Sequence, residues 1–152
     1  MRVLLVTSFP IPGEYDGTAM LPIKILRALK PRGIDVVVAF LRLRPPGGLS
    51  LRREEFEGTP VFNIPPARWL NGSGLEQIHR ELPFDVVHAQ HYGGATRSLR
   101  ACLRYNWPMV YEIHSLLGDE GERDRLGRGM VFRTYMALEK KVCEHAAHVI
   151  AL

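Results

Sequence analysis

An α/β domain in three layers, with a parallel sheet of about six or seven strands and helices on both faces, is what this 152-residue sequence predicts. Three observations carry that prediction. Short apolar runs rich in β-branched residues recur along the chain, as in strands buried on both faces. Segments with helical spacing alternate with them. The opening run, Arg2 to Thr7, passes into a loop of Pro10, Pro12, Gly13 and Gly17 before a helical pattern begins near Met20. That order puts the loop at the carboxyl edge of the sheet, where open α/β sheets bind their ligands.

The elements follow in turn. Ile23, Leu26 and Leu29 recur at helical spacing; Pro22 suits a first turn, and Pro31 with Gly33 ends the helix. Val36 to Phe40 is a second strand. The basic Pro/Gly stretch from Arg42 to Gly48, followed by Arg52 and Arg53, reads as a loop. Pro60 to Ile64 is a third strand closed by Pro65 and Pro66, and a brief helix covers Leu75 to Glu81. Phe84 to Ala89 is a fourth strand. Its helix runs from about Gly94 to Tyr105 with Leu99, Cys102 and Leu103 facing inwards. Pro108 to His114 is a fifth strand. After a polar stretch, Val131, Tyr135, Leu138 and Val142 form an apolar stripe, with Glu139, Lys140 and Lys141 mostly outside it. His148 to Leu152 is a sixth strand.

The totals exclude several classes. A net charge of +4 permits an anionic partner without demanding one. Cys102 and Cys143 match no metal or redox spacing and read as reduced core thiols. The chain opens on no signal peptide and has no stretch near the roughly 20 apolar residues of a membrane span, so a cytoplasmic protein is expected. Aromatic residues are not interleaved with a basic stripe, which argues against nucleic acid. No GxGxxG, GxxxxGK[ST] or GxSxG occurs, which excludes an ordinary dinucleotide fold, a P-loop and a hydrolase elbow.

Polar residues gather at the strand ends. Ser8 and the Asp16-Gly17-Thr18 turn follow strand one; His88, Gln90, His91 and Tyr92 belong to strand four and its exit; Glu112, His114 and Ser115 close strand five. A parallel sheet brings all of these to one edge. A lone strand histidine such as His88 is more commonly a hydrogen-bonded core residue than a ligand, whereas His91 is a loop residue and His114 ends its strand. Three histidines without HExxH spacing or a carboxylate cluster argue against zinc. His145 and His148 flank a helix end and read as structural.

Five segments resemble the N-terminal half of a GT-B glycosyltransferase of the retaining family 4 type. They are Met1 to Thr7 with Phe9-Pro10 and Gly17; Leu26 to Val38, reading LRALKPRGIDVVV; Asp85 to Ala89, reading DVVHA; Tyr111 to His114; and Leu138-Glu139 through Ala151. The sequence departs from the family pattern at Asp16, where a glycine is common, and at Gln90, Ser115 and Ala147. The resemblance implies a Rossmann-like domain that receives the acceptor, facing a C-terminal domain that holds a nucleotide-diphosphate sugar as donor. By the same resemblance, Gly17 and Thr18 would face the donor diphosphate and His114 would be the catalytic residue beside the transferred sugar. Ser8, His91, Tyr92 and Ser115 would line the acceptor pocket. No metal and no cofactor held by this domain alone would be needed.

The implied partners are a C-terminal donor domain, on the same or another chain, and a glycan, lipid-linked or small-molecule acceptor. Arg123, Arg125, Arg128 and Arg133 add peripheral contact with the inner membrane face. Without the donor domain, transition-state stabilisation would be incomplete, and the chain is expected to be inactive alone. The stop at Leu152, within the last resembling segment, reads as part of a longer protein. Two other readings stay open: a non-catalytic ligand-binding subunit, and half of a GT-B-type sugar-nucleotide epimerase.

Overall fold

In the computed structural model, residues 1–8, 20–41, 50–114 and 130–151 are described. Seven strands form one sheet: β1 (Arg2–Thr7), β2 (Asp35–Leu41), β3 (Arg52–Phe56), β4 (Thr59–Ile64), β5 (Val86–Gln90), β6 (Met109–Ile113) and β7 (His148–Ala151). Their spatial order is β3-β4-β2-β1-β5-β6-β7. All neighbours are parallel except β3, which runs antiparallel to β4. The helices are α1 (Leu21–Leu29), α2 (Pro66–Leu70), α3 (Ser73–Glu81), α4 (His91–Tyr105) and α5 (Met130–His145). The predicted three-layer α/β fold is therefore present, with one correction to its sheet.

That correction is β3. Arg52 and Arg53 do not continue a loop; they begin an edge strand, RREEF, whose residues are mostly exposed. A charged edge strand carries no hydrophobic alternation to betray it, and its charges keep other chains from pairing there. A second element missing from the sequence reading is α2. Pro66 starts this helix as well as closing β4, because a first turn tolerates proline, and Trp69 is buried beneath it.

The strand β1 lies at the centre because Val3 to Val6 are buried on both faces. On one face, Leu5, Val36, Val38, Phe40 and Val61 pack with Ile23 and Leu26 of α1. On the other, Leu4, Val6, Val37, Ala39 and Phe62 pack with Trp69, Leu75, Ile78, Leu99, Cys102 and Val142 from the remaining helices. Alternate residues of one strand thus feed two cores. Cys102 belongs to the second, and burial pushes its thiol up to about 12, so it stays protonated and inert. Cys143, by contrast, is exposed.

Two assignments change, one inward and one outward. Leu103 is 52% exposed on the outer side of α4. Glu139, read as lying outside the stripe of α5, is buried and accepts a hydrogen bond of 2.8 Å from the Tyr111 hydroxyl. Val142 is fully buried and Leu138 half-buried, as their stripe requires; the Val131 and Tyr135 side chains lie outside the described residues.

The chain reverses its direction of winding between β1 and β5. β1 pairs with β2 on one side and β5 on the other, so the crevice at a topological switch point opens beyond Thr7 and Gln90. The first turn of α4 crosses this point closely. A Cβ on Gly94 would stand 2.8 Å from the Val6 carbonyl oxygen, a backbone atom that cannot swing aside. Gly94→Ala is expected to cost about 1–3 kcal/mol, measured by urea denaturation, because the helix must lift from β1. A cost below about 0.5 kcal/mol, the usual range of a neutral surface change, would show that the contact yields.

Candidate active site at the carboxyl edge

The strands β5 and β6 carry the polar cluster. Parallel register sets Gln90 beside Glu112, and the period of two puts His88, Gln90, Glu112 and His114 on one face of the sheet. Glu112 is the hub. His88 Nε2 donates to Glu112 Oε2 at 2.7 Å, and Gln90 Nε2 donates to the same oxygen at 3.4 Å. His114 Nε2 donates to Oε1 at 3.0 Å. The side chains of Glu112 and His114 are only 4% and 7% exposed.

Burial pushes the Glu112 carboxyl up, but the hydrogen bond and charge of His88, with His114 and Gln90, together outweigh it and hold the group below its ordinary range. Glu112 is therefore ionised, an acceptor only, and each imidazole must present an N–H to it. For His114 this fixes the proton on Nε2. Its Nδ1 is buried and has no partner among the described residues.

The first turn of α4 completes the edge. The helix starts at His91, three residues before the position the sequence suggested, so His91 and Tyr92 are helical and not part of a loop. His91 takes φ of +59°, a left-handed conformation that few non-glycine residues adopt and that clusters at functional sites. Its ring lies 4.0 Å from that of Tyr92 and 6.0 Å from that of His114, measured between centroids. Ser8, at the exit of β1, accepts from Arg97 Nη1 at 3.4 Å and abuts Gly93.

Of the predicted site residues, the fold thus gathers His91, Tyr92 and His114 and sets Ser8 against the same helix turn. Gly17, Thr18 and Ser115 lie outside the described residues, as do Arg123, Arg125 and Arg128; Arg133 is exposed on α5. His88 is both things the sequence left open, a bonded strand residue and a neighbour of the site. The anchoring role of Glu112 and the reach of Arg97 were not anticipated. An alternation H-x-Q in β5 facing E-x-H in β6 was the available signal for the first. Among the described residues no group of His, Cys, Asp and Glu is arranged to hold a metal ion, and no helix is long and apolar enough to cross a membrane.

Residues 15–152 match the family model for Glycosyltransferase Family 4. No curated protein sequence matches the chain significantly. Among solved structures, a sucrose-phosphate synthase from Thermosynechococcus elongatus superposes with a TM-score of 0.74 at 15% identity, over 97% of this chain and 41% of that one. The chain therefore spans about two fifths of that structure's length. The catalytic domain of starch synthase IV from Arabidopsis thaliana, bound to ADP and acarbose, matches 75% of this chain and 34% of its own, with a TM-score of 0.52 and 12% identity. An E. coli structure described as trehalose-6-phosphate bound with UDP-2-fluoro glucose matches 95% and 38%, with a TM-score of 0.51 and 13% identity. At these identities the likeness concerns the fold, whereas the family match covers nearly the whole chain. The chain belongs to Glycosyltransferase Family 4, and its fold is the Rossmann-like half of a GT-B enzyme.

Proposed function

We propose that the chain is the acceptor-side domain of a retaining glycosyltransferase that takes a nucleotide-diphosphate sugar and passes the sugar to a glycan, lipid-linked or small-molecule acceptor. The observation that carries this reading is His114, held by the Glu112 carboxylate at 3.0 Å with its Nδ1 unpartnered among the described residues, beside His91 and Tyr92 at the switch point. A hydrogen-bond acceptor fixed in a buried site suits a hydroxyl of the transferred sugar, because it needs no reorganisation as charge develops. In this reading Gly17 and Thr18 face the diphosphate, Ser8, His91, Tyr92 and Ser115 face the acceptor, and a second domain holds the nucleotide. The enzyme works in the cytoplasm, touching the inner membrane face where its acceptor is lipid-linked.

Half of a GT-B cleft cannot surround the departing diphosphate, so the 152 residues alone bind without transferring. Transfer from a panel of nucleotide sugars is expected for the intact protein and absent for residues 1–152. Proton NMR of the new linkage should show the anomeric configuration of the donor. Turnover by the short chain would refute its inactivity, and an inverted product would refute the retaining mechanism.

A further inference from the structure

His88 and Glu112 stand one step behind the residue that carries the proposed function. Parallel register sets Gln90 beside Glu112 and His88 beside Val110, so both β5 side chains reach the carboxylate from one flank. On the other flank the register sets Ile150 of β7, whose side chain offers no hydrogen bond. The two β5 donors share Oε2, His88 Nε2 at 2.7 Å and Gln90 Nε2 at 3.4 Å. Oε1 is left to His114 Nε2, at 3.0 Å. The side chains of His88 and Glu112 are 14% and 4% exposed.

His114 needs such an anchor. It stands beyond the last paired positions of β6, which are Glu112 against β5 and Ile113 against β7, so its orientation depends on its side-chain partner. A neutral imidazole has two tautomers, and a turn about its last torsion exchanges the places of its nitrogens. A carboxylate set against one nitrogen selects both the tautomer with the proton there and the ring orientation that points it. The carboxylate must itself be held, because a glutamate side chain has several rotatable bonds. His88 supplies that hold with a short, charge-assisted bond. Its strand is a firm base, since β5 pairs with β1 on one side and β6 on the other.

We propose that His88 and Glu112 are positioning residues of sugar transfer: without touching the sugar, they hold the His114 ring in one tautomer and one orientation. The relay runs from the interior strand β5, through the carboxylate, to the residue that follows β6. Glu112 draws the N–H end of the imidazole towards itself and leaves Nδ1 as the acceptor of the ring. A ring held in this way needs no reorientation as the sugar reacts, so the benefit falls on kcat. The proposal rests on the glycosyltransferase reading for the step that His114 serves, whereas the relay from His88 to His114 rests on the distances alone.

The test compares His88→Leu and His88→Gln in the intact protein, each assayed well below its melting temperature. Leucine fills the space without a donor, whereas the glutamine Nε2 has the reach of the imidazole Nε2 and donates in its place. His88→Leu should lower kcat at least about tenfold, the effect of losing a hydrogen bond to a charged group. Its KM for the nucleotide sugar should stay within about threefold of the parent, as should the kcat of His88→Gln. A leucine variant as active as the parent, or both variants lowered alike, overturns the proposal, because the His88 donor would then be idle. Labelling with 15N at histidine reads the ring itself, the His114 signals being identified by their loss in His114→Ala. At about pH 8, above the ordinary titration range of an imidazole, the parent ring should show one protonated and one bare nitrogen. Glu112→Gln should bring both signals to intermediate positions, and a single tautomer that survives in that variant overturns the proposal. A parent ring already mixed between tautomers, in a protein that transfers sugar, would refute the relay and leave the glycosyltransferase reading standing. A single tautomer lost in Glu112→Gln, in a protein that transfers no sugar, would do the reverse.

Discussion

Glu112→Ala is expected to lower the stability of the fold by about 3–5 kcal/mol, the cost of leaving three buried or half-buried donors without their shared acceptor at about 1–3 kcal/mol each. The carboxylate serves three donors with two oxygens, at 2.7, 3.0 and 3.4 Å. Removing it strands His88 and His114 against each other and leaves the Gln90 amide without its acceptor, beside a Gln90 Oε1 that already has no partner among the described residues. Glu112→Gln keeps the shape and should cost less, about 1–3 kcal/mol, since the new amide confronts one imidazole N–H with an N–H of its own. The two variants also separate charge from packing through pH. Because the folded-state pKa of Glu112 lies below its ordinary 4.5, its stabilisation is complete above that value and is lost as pH falls through the lower, folded one. Urea midpoints between pH 6 and 3 (about the range spanning a carboxylate's titration) should fall more steeply for the parent protein than for Glu112→Gln. Parallel slopes would mean that the imidazoles do not hold the carboxylate in its charged form.

The same network shows what the sequence could and could not disclose. β1, β2, β5 and β6 were legible because a strand buried on both faces must be apolar along its length, and Val3 to Val6 or Val36 to Phe40 have no other simple reading. The edge strand β3 was not, because Arg52 to Phe56 has one hydrogen-bonded side and little core to face. Pro66 was ambiguous in principle: the same residue that stops a strand can open a helix. Convergence of Ser8, His91, Tyr92 and His114 followed from strand polarity alone, which needs only the fold class. The hub at Glu112 did not, since it depends on the register of β5 against β6, and a shift of one residue would turn Glu112 to the other face. Likewise the meeting of Arg97 with Ser8 joins positions 89 residues apart. It follows from Gly93 and Gly94 letting α4 approach β1, a contact that no local pattern announces.

His114→Ala should lower kcat of the intact enzyme by about 100-fold, comparable to the loss of one preorganised polar contact at a reacting centre. Alanine removes the Nδ1 acceptor and also the partner that pins one oxygen of Glu112, yet His88 at 2.7 Å keeps that carboxylate paired. The folded state should therefore survive, and the melting temperature decides whether lost activity reflects chemistry or structure. If His114 meets the sugar chiefly as charge develops, KM for the donor stays within a few-fold and the loss falls on kcat. His91→Ala supplies the contrast. His91 lies on the helix side of the crevice, with its ring against Tyr92, so its removal should raise KM for the acceptor and change donor KM little. It also relieves no strain, because alanine is no better suited than histidine to φ of +59°. Equal effects of the two variants on both substrates would place the rings in one subsite. A kcat within about threefold of the parent for His114→Ala would move the reacting sugar away from β6, because the smallest expected effect of such a contact is several times larger.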